Sequence, residues 1–173
     1  TVIGTKDGGS LVGGDFYDAI DLGNEVNLNS NGSSDGMIIK YSSSGELELA
    51  KEIGGEGTDC IKAVTETYDG SYIVIGELYS DSITFENGIC ITNTGNSHGM
   101  IIKYNNNGEI NWAKAIPMSS SETIDSVIDL ENNAYIIVGD FNSRNIDMGN
   151  GVNLINKSTS GRSDGMILKI TDQ

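Results

Sequence analysis

The chain has 173 residues, about one domain's worth, with 23 glycines, one proline, and 25 acidic against 10 basic side chains, for a net charge of −15. Such a surface repels phosphate backbones and anionic headgroups, so nucleic acid and membrane surfaces are poor partners, while cations, neutral glycans and proteins stay open. No apolar run approaches the roughly 18 residues needed to span a bilayer, and no segment reads as a signal peptide.

In chain order, "TVIGTK" at residues 1–6 reads as a strand, followed by an apolar run to Gly14 and a short hairpin over 20–28. "DGMIIKYSSSGE" at 35–46 reads as a strand and a turn. "IKAVTET" at 61–67 is rich in β-formers, and Asp69-Gly70 supplies the positive φ of a tight hairpin. "SYIVIGEL" at 71–78 returns, apolar nearly throughout, as a strand covered on both faces. A second hairpin, "SITFENGICIT" at 82–92, turns at Asn87-Gly88. "HGMIIKYNNNGE" at 98–109 repeats the earlier strand and turn, and "EINWAKAI" at 109–116 follows, with Pro117 at its end where a missing N–H does no harm. "AYIIVGDF" at 134–141 copies 71–78. "NIDMGNGVNLI" at 145–155 turns at Asn150-Gly151, and its alternating Ile146, Met148, Val152 and Leu154 predict a hairpin covered on one side. "DGMILKI" at 164–170 closes the series. No segment has a helical period.

The copies are regular. Gly36, Gly99 and Gly165 lie 63 and 66 residues apart, and Gly14, Gly76 and Gly139 lie 62 and 63 apart, each before an acid. The surplus falls in the Ser/Thr/Gly loop near Lys157–Arg162, where insertion is tolerated. Each repeat offers four strands plus an inserted hairpin. The expected fold is therefore all-β: about three four-stranded antiparallel β-propeller blades, over about 1–54, 60–117 and 122–173, within a single repeat domain. The third blade lacks its last strand, leaving Met166–Ile170 as an edge. Three blades do not close a ring, so the propeller is partial or completed by association. The chain opens inside a repeat, which leads us to expect upstream sequence. A β-prism or β-trefoil is the alternative.

The phrases "DGMIIKYSSSGELELAKEIGGEGTD" and "TETYDGSYIVIGEL" resemble β-propeller repeats of large bacterial secreted and cell-surface proteins. Those repeats run from a "D-x-hydrophobic-x-x-K" strand through "GG-x-x-x-D" to "DG-x-Y-hydrophobic-x-G". The resemblance covers nearly the whole chain; the inserted hairpins depart from it. It implies that the 61–67 type of strand is innermost, and that the chain sits outside the cell or on its surface.

Chemical motifs are few. G-x-S-x-G occurs at 32–36, 95–99 and 161–165. A nucleophile is needed once and sits between a strand and a helix, whereas these loops lead into strands. We read them as turns in which Asp35, His98 or Asp164 caps backbone amides. His98, the lone histidine, reads as a solvated loop residue. Cys60, near a strand start, and Cys90, in a hairpin, are expected to be free. No metal or phosphate motif is present. Calcium is the one cofactor left open, through "IDLGN" (20–24) and "IDMGN" (146–150), although Thr84 breaks the pattern in the middle copy and hairpin turns are the simpler reading. The candidate ligand-binding residues are Asp15, Glu77 and Asp140, the acids after the recurring glycine, which rotational repetition would gather at one mouth. Lys40, Lys103 and Lys169 are expected to reach past the blade or pair with an acid on the next, and Trp112, Tyr72 and Tyr135 to pack in the core. The function expected is a non-enzymatic surface or secreted module for adhesion, glycan or protein binding, or structure. A carboxylate-dependent glycan-active enzyme is the alternative, and self-association or neighbouring blades are the expected partners.

Overall fold

The computed structural model describes residues 1–118, 122–148, 153–158 and 161–172. Within them the chain is all-β and its main sheets are antiparallel. Sheet I orders β1 (Val2–Gly4), β2 (Ser10–Phe16), β5 (Asp35–Tyr41) and β6 (Leu47–Ile53), with the hairpin β3 (Ala19–Asp21) and β4 (Asn27–Asn29) inserted between β2 and β5. Sheet II repeats the plan with β7 (Asp59–Glu66), β8 (Tyr72–Leu78), β11 (His98–Tyr104) and β12 (Ile110–Pro117), around the hairpin β9 (Ser82–Thr84) and β10 (Cys90–Thr92). Sheet III has three strands among the described residues: β13 (Thr123–Asp129), β14 (Ala134–Phe141) and β17 (Asp164–Thr171), with the hairpin β15 (Asn145–Asp147) and β16 (Asn153–Ile155). Each main sheet is a meander whose first strand lies at one edge, an order consistent with partial, propeller-like blades. The turn expected at Asn150-Gly151 and the side chain of Val152 lie outside the described residues.

The sheets stack face to face in chain order, and side-chain alternation decides which residue meets which neighbour. Ile61, Val64, Tyr72, Val74, Met100 and Ile102 of sheet II face Leu11, Ile38 and Ile53 of sheet I. Their chain neighbours Ala63, Ile73, Ile75 and Ile101 face Ile124, Val127, Tyr135 and Ile137 of sheet III. Sheet II is thus buried on both sides, which accounts for the unbroken burial of β8 and β11. Each large apolar side chain so enclosed is worth about 1.5–3 kcal/mol. Two of the hairpins add a cap: Ile83 and Ile91 join the first seam, and Ile146, Met148 and Leu154 the second.

The recurring glycine has a structural reason. Opposite Gly76, β7 bulges between Ile61 and Ala63; opposite Gly139, β13 bulges between Ile124 and Ser126. A Cβ would lie 2.1 Å from the Cys60 carbonyl oxygen at Gly76 and 2.0 Å from that of Thr123 at Gly139. Only glycine fits against a bulged neighbour this close.

Polar staples tie the seams. The backbone N–H of Lys6, at the first hairpin tip of sheet I, donates to Glu66 of sheet II at 2.7 Å, and the equivalent N–H of Tyr68 donates to Asp129 of sheet III at 2.7 Å. Lys103 pairs with Asp172 of sheet III at 2.5 Å, as expected of an acid on the next sheet, whereas Lys40 stays within its own sheet, paired with Asp7 and Glu48. Asp172 also accepts from Trp112 Nε1 at 3.1 Å and Tyr135 Oη at 3.0 Å, and the two rings pack at 6.2 Å. Trp112 and Tyr135 therefore close the second seam, and Tyr72 is buried in the first. Lys169 is exposed.

Candidate functional site

The three loops with G-x-S-x-G each lead into a strand, β5, β11 and β17. Asp35 Oδ2 accepts the Asn31 N–H at 2.6 Å and Asp164 Oδ2 accepts the Lys157 N–H at 3.0 Å, so both aspartates cap a loop amide at a strand entry. His98 differs from both expectations. It is buried, 7% exposed, and its Nδ1 meets the Ser97 carbonyl oxygen at 2.7 Å instead of capping an amide. It opens β11 between Leu78 and Pro117, and this pairing withdraws it from solvent. Ser34 and Ser97 are buried as well, each just ahead of a strand.

Asp15, Glu77 and Asp140 occupy equivalent places in β2, β8 and β14. Asp15 is exposed. Glu77, 5% exposed, takes the Lys62 ammonium at 3.3 Å and hydrogen bonds from the Cys60 thiol at 3.7 Å and the Tyr79 hydroxyl at 3.4 Å. Asp140 accepts from Thr123 Oγ1 at 3.2 Å. Glu77 and Asp140 are thus held by side chains of their own sheets. Burial pushes the Cys60 thiol up, and the charges of Glu77 and Asp15 add to it against the opposing pull of Lys62. Cys60 and Cys90 are both free.

The calcium candidates resolve in part. Asp21 Oδ1 accepts the Gly23 N–H at 2.8 Å and so closes its own hairpin turn. Among the described residues no group of three or more His, Cys, Asp or Glu side chains is arranged to hold a metal ion. Asn150 lies outside the described residues.

A cavity of about 560 Å³ opens at the outer rim of the first seam, between the edge strand β6 and the inserted hairpin β9–β10. Phe85, Ile83 and Ile110 give it an apolar wall; Glu52, Glu109, Asn31 and Asn87 give it a polar one. Two contacts hold the hairpin across it: Lys51 with Glu86 at 3.5 Å, and Asn87 Nδ2 donating to the Ile110 carbonyl at 2.9 Å. At the second seam Trp112 stands where the first has Leu49, and the repeat counterpart of Glu52 on β12 is Ala115. A broader, shallower hollow of about 650 Å³ lies beside Lys6, Tyr68 and Ile128.

Glu52 is the residue that reading the repeat passed over. It projects from β6 on the same face as Asp35, with the cavity on its other side. Asp35 is fully buried; its Oδ1 and the Oε1 of Glu52 are both sealed from solvent and have no donor. Burial first, and then the hydrogen-bonding contact with Asp35, push the Glu52 carboxyl up to about 8. A protonated Glu52 carboxyl can donate to Asp35 across this contact. Gly54 makes room for this pair: a Cβ there would lie 2.2 Å from Asp35 Oδ1. The signal in the sequence was a glutamate at a position whose counterpart is alanine.

A scan against protein-family models finds no match, and a search of curated proteins finds no significant relative. No helix is long and apolar enough to cross a membrane among the described residues. What the chain can be said to be thus rests on its own geometry: an all-β stack of antiparallel sheets with a cavity at its first seam.

Proposed function

We propose that this chain is a non-catalytic binding module of a secreted or surface protein, built from propeller-like blades, and that the rim cavity takes a neutral glycan residue. The cavity supports this reading by its two-sided chemistry. Phe85 and Ile110 suit the C–H face of a sugar ring, while Glu109, Asn87 and the outer oxygen of Glu52 suit its hydroxyls. The surrounding charge of −15 disfavours anionic ligands.

Glu52 also favours the runner-up, a carboxylate-dependent glycan enzyme, because a raised carboxyl in a cavity is the mark of a general acid. The pair geometry weighs against it. Glycoside hydrolysis needs carboxyls about 5–10 Å apart with the bond between them. Asp35 and Glu52 touch, and their facing oxygens are closed to solvent.

Screening against immobilised neutral glycans, followed by titration of each hit, tests the proposal. We expect saturable binding, weakened at least tenfold by Phe85→Ala, with the glycan recovered intact. Absence of binding to any neutral glycan sinks the reading. Release of cleaved product, lost in Glu52→Gln, replaces it with the enzyme.

A further inference from the structure

The two ends of the stack expose faces that inside the stack are always covered. On sheet III, Ile128 is 54% and Ile167 74% exposed, with Ile136 and Val138 half-buried beside them. Register puts these four on one face, since Ile128 pairs with Ile136 and Val138 with Ile167. Their sheet II counterparts Ile73, Ile75 and Ile101 are fully buried against sheet III. On sheet I, Val2 is 67% exposed, with Val12, Met37 and Tyr41 half-buried on the same face. Their counterparts Val64, Val74, Met100 and Tyr104 are 0–4% exposed against sheet I.

The faces are therefore of opposite kind. One repeats the surface with which each sheet receives its predecessor; the other repeats the surface it offers its successor. Such faces have already met twice within this chain, at the two internal seams. We propose that the sheet III face of one copy docks on the sheet I face of another, so that the chain self-associates head to tail and extends its own stack. The contact is heterologous: each copy contributes a different patch, and copies add in sequence until they close a ring or continue.

Two details set its strength. At the internal seams the tip amides of Lys6 and Tyr68 donate to Glu66 and Asp129. In the seam between copies the donor is Glu131 and the acceptor position is Gly4, which has no side chain to accept. Each copy also carries a charge of −15. Association between copies is thus weaker than the internal seams, concentration-dependent and strengthened by salt, which screens the repulsion.

The test is mass in solution, by sedimentation over a range of concentration and salt, for the wild-type chain, Val2→Glu and Ile167→Glu. Both positions are solvent-exposed in the single chain, and circular dichroism checks that the variants fold. We expect wild-type mass to rise above 18.4 kDa with concentration. Each variant alone should associate roughly a hundredfold more weakly, because every copy lacks one of the two faces and a charge is forced into the seam. Mixing the variants should restore a 1:1 complex, joining the intact sheet III face of one to the intact sheet I face of the other. A wild-type chain that stays monomeric throughout overturns the proposal. So does Val2→Glu associating as wild type, which would mean like faces pair, and so does a mixture that forms no complex.

Discussion

Asp35 and Glu52 show how one side chain can set a local dependence on pH. Glu52 has its carboxyl raised from 4.5 to about 8 by burial and by Asp35. The folded state thus holds a proton that the unfolded chain has released, and the stabilisation this brings is complete below about pH 4.5 and lost as pH rises through about 8. Glu52→Gln keeps a donor toward Asp35 without a charge. We expect urea denaturation to show it more stable than wild type at pH 9 by about 1–3 kcal/mol, with little difference at pH 5. Asp172 tests the opposite case. Burial would pull the Lys103 amine down, but Asp172 and Tyr135 hold it above its ordinary value. Asp172→Ala strands this ammonium and the Trp112 and Tyr135 donors, and should cost about 2–4 kcal/mol of unfolding free energy. At this scale the sequence was only partly legible. That Asp35 and Asp164 cap amides could be read from their place between a glycine turn and a strand. That Glu52 reaches Asp35 could not, because the two are 17 residues apart and only the pairing of β5 with β6 sets them diagonally across one face.

Among elements, the four-strand meander was readable because period-two alternation and glycine turns both act locally. Gly70 and Gly88 have φ of 80° and 82°, as their Asp-Gly and Asn-Gly turns require. The glycines at 76 and 139 also stood out, by their recurrence, but their reason did not. A bulge is a mismatch between two strands, and neither strand announces it alone. Gly139→Ala forces a methyl onto the Thr123 carbonyl, and we expect it to lower stability by about 1–3 kcal/mol in thermal or chemical denaturation. Gly165→Ala, where a Cβ meets nothing within 4 Å, should be tolerated and serves as the control. The inserted hairpins were placed correctly as segments, yet their docking was not foreseen. Ile83 and Ile91 turn inward to the first seam, and this leaves Phe85 and Asn87 lining the cavity.

Across the whole molecule, burial is set by position in the stack. Ile73 and Ile136 hold the same place in the matching phrases "SYIVIGEL" and "AYIIVGDF", yet Ile73 is fully buried in the second seam and Ile136 half-buried on the outer face of sheet III. Ile73→Ala should cost about 2–5 kcal/mol and Ile136→Ala well under half as much in the monomer, as measured by denaturation at low concentration. The sequence by itself determined the strands, the turns, the threefold repetition and the all-β class, because these follow from side-chain alternation and backbone preference over a few neighbouring residues. Only the tertiary structure decided that His98 is buried, that Glu52 meets the buried Asp35 beside a cavity, and which apolar faces are left uncovered. Those outcomes depend on which surfaces meet, and near-identical repeats carry almost the same local signal whether they lie in the middle of the stack or at its end.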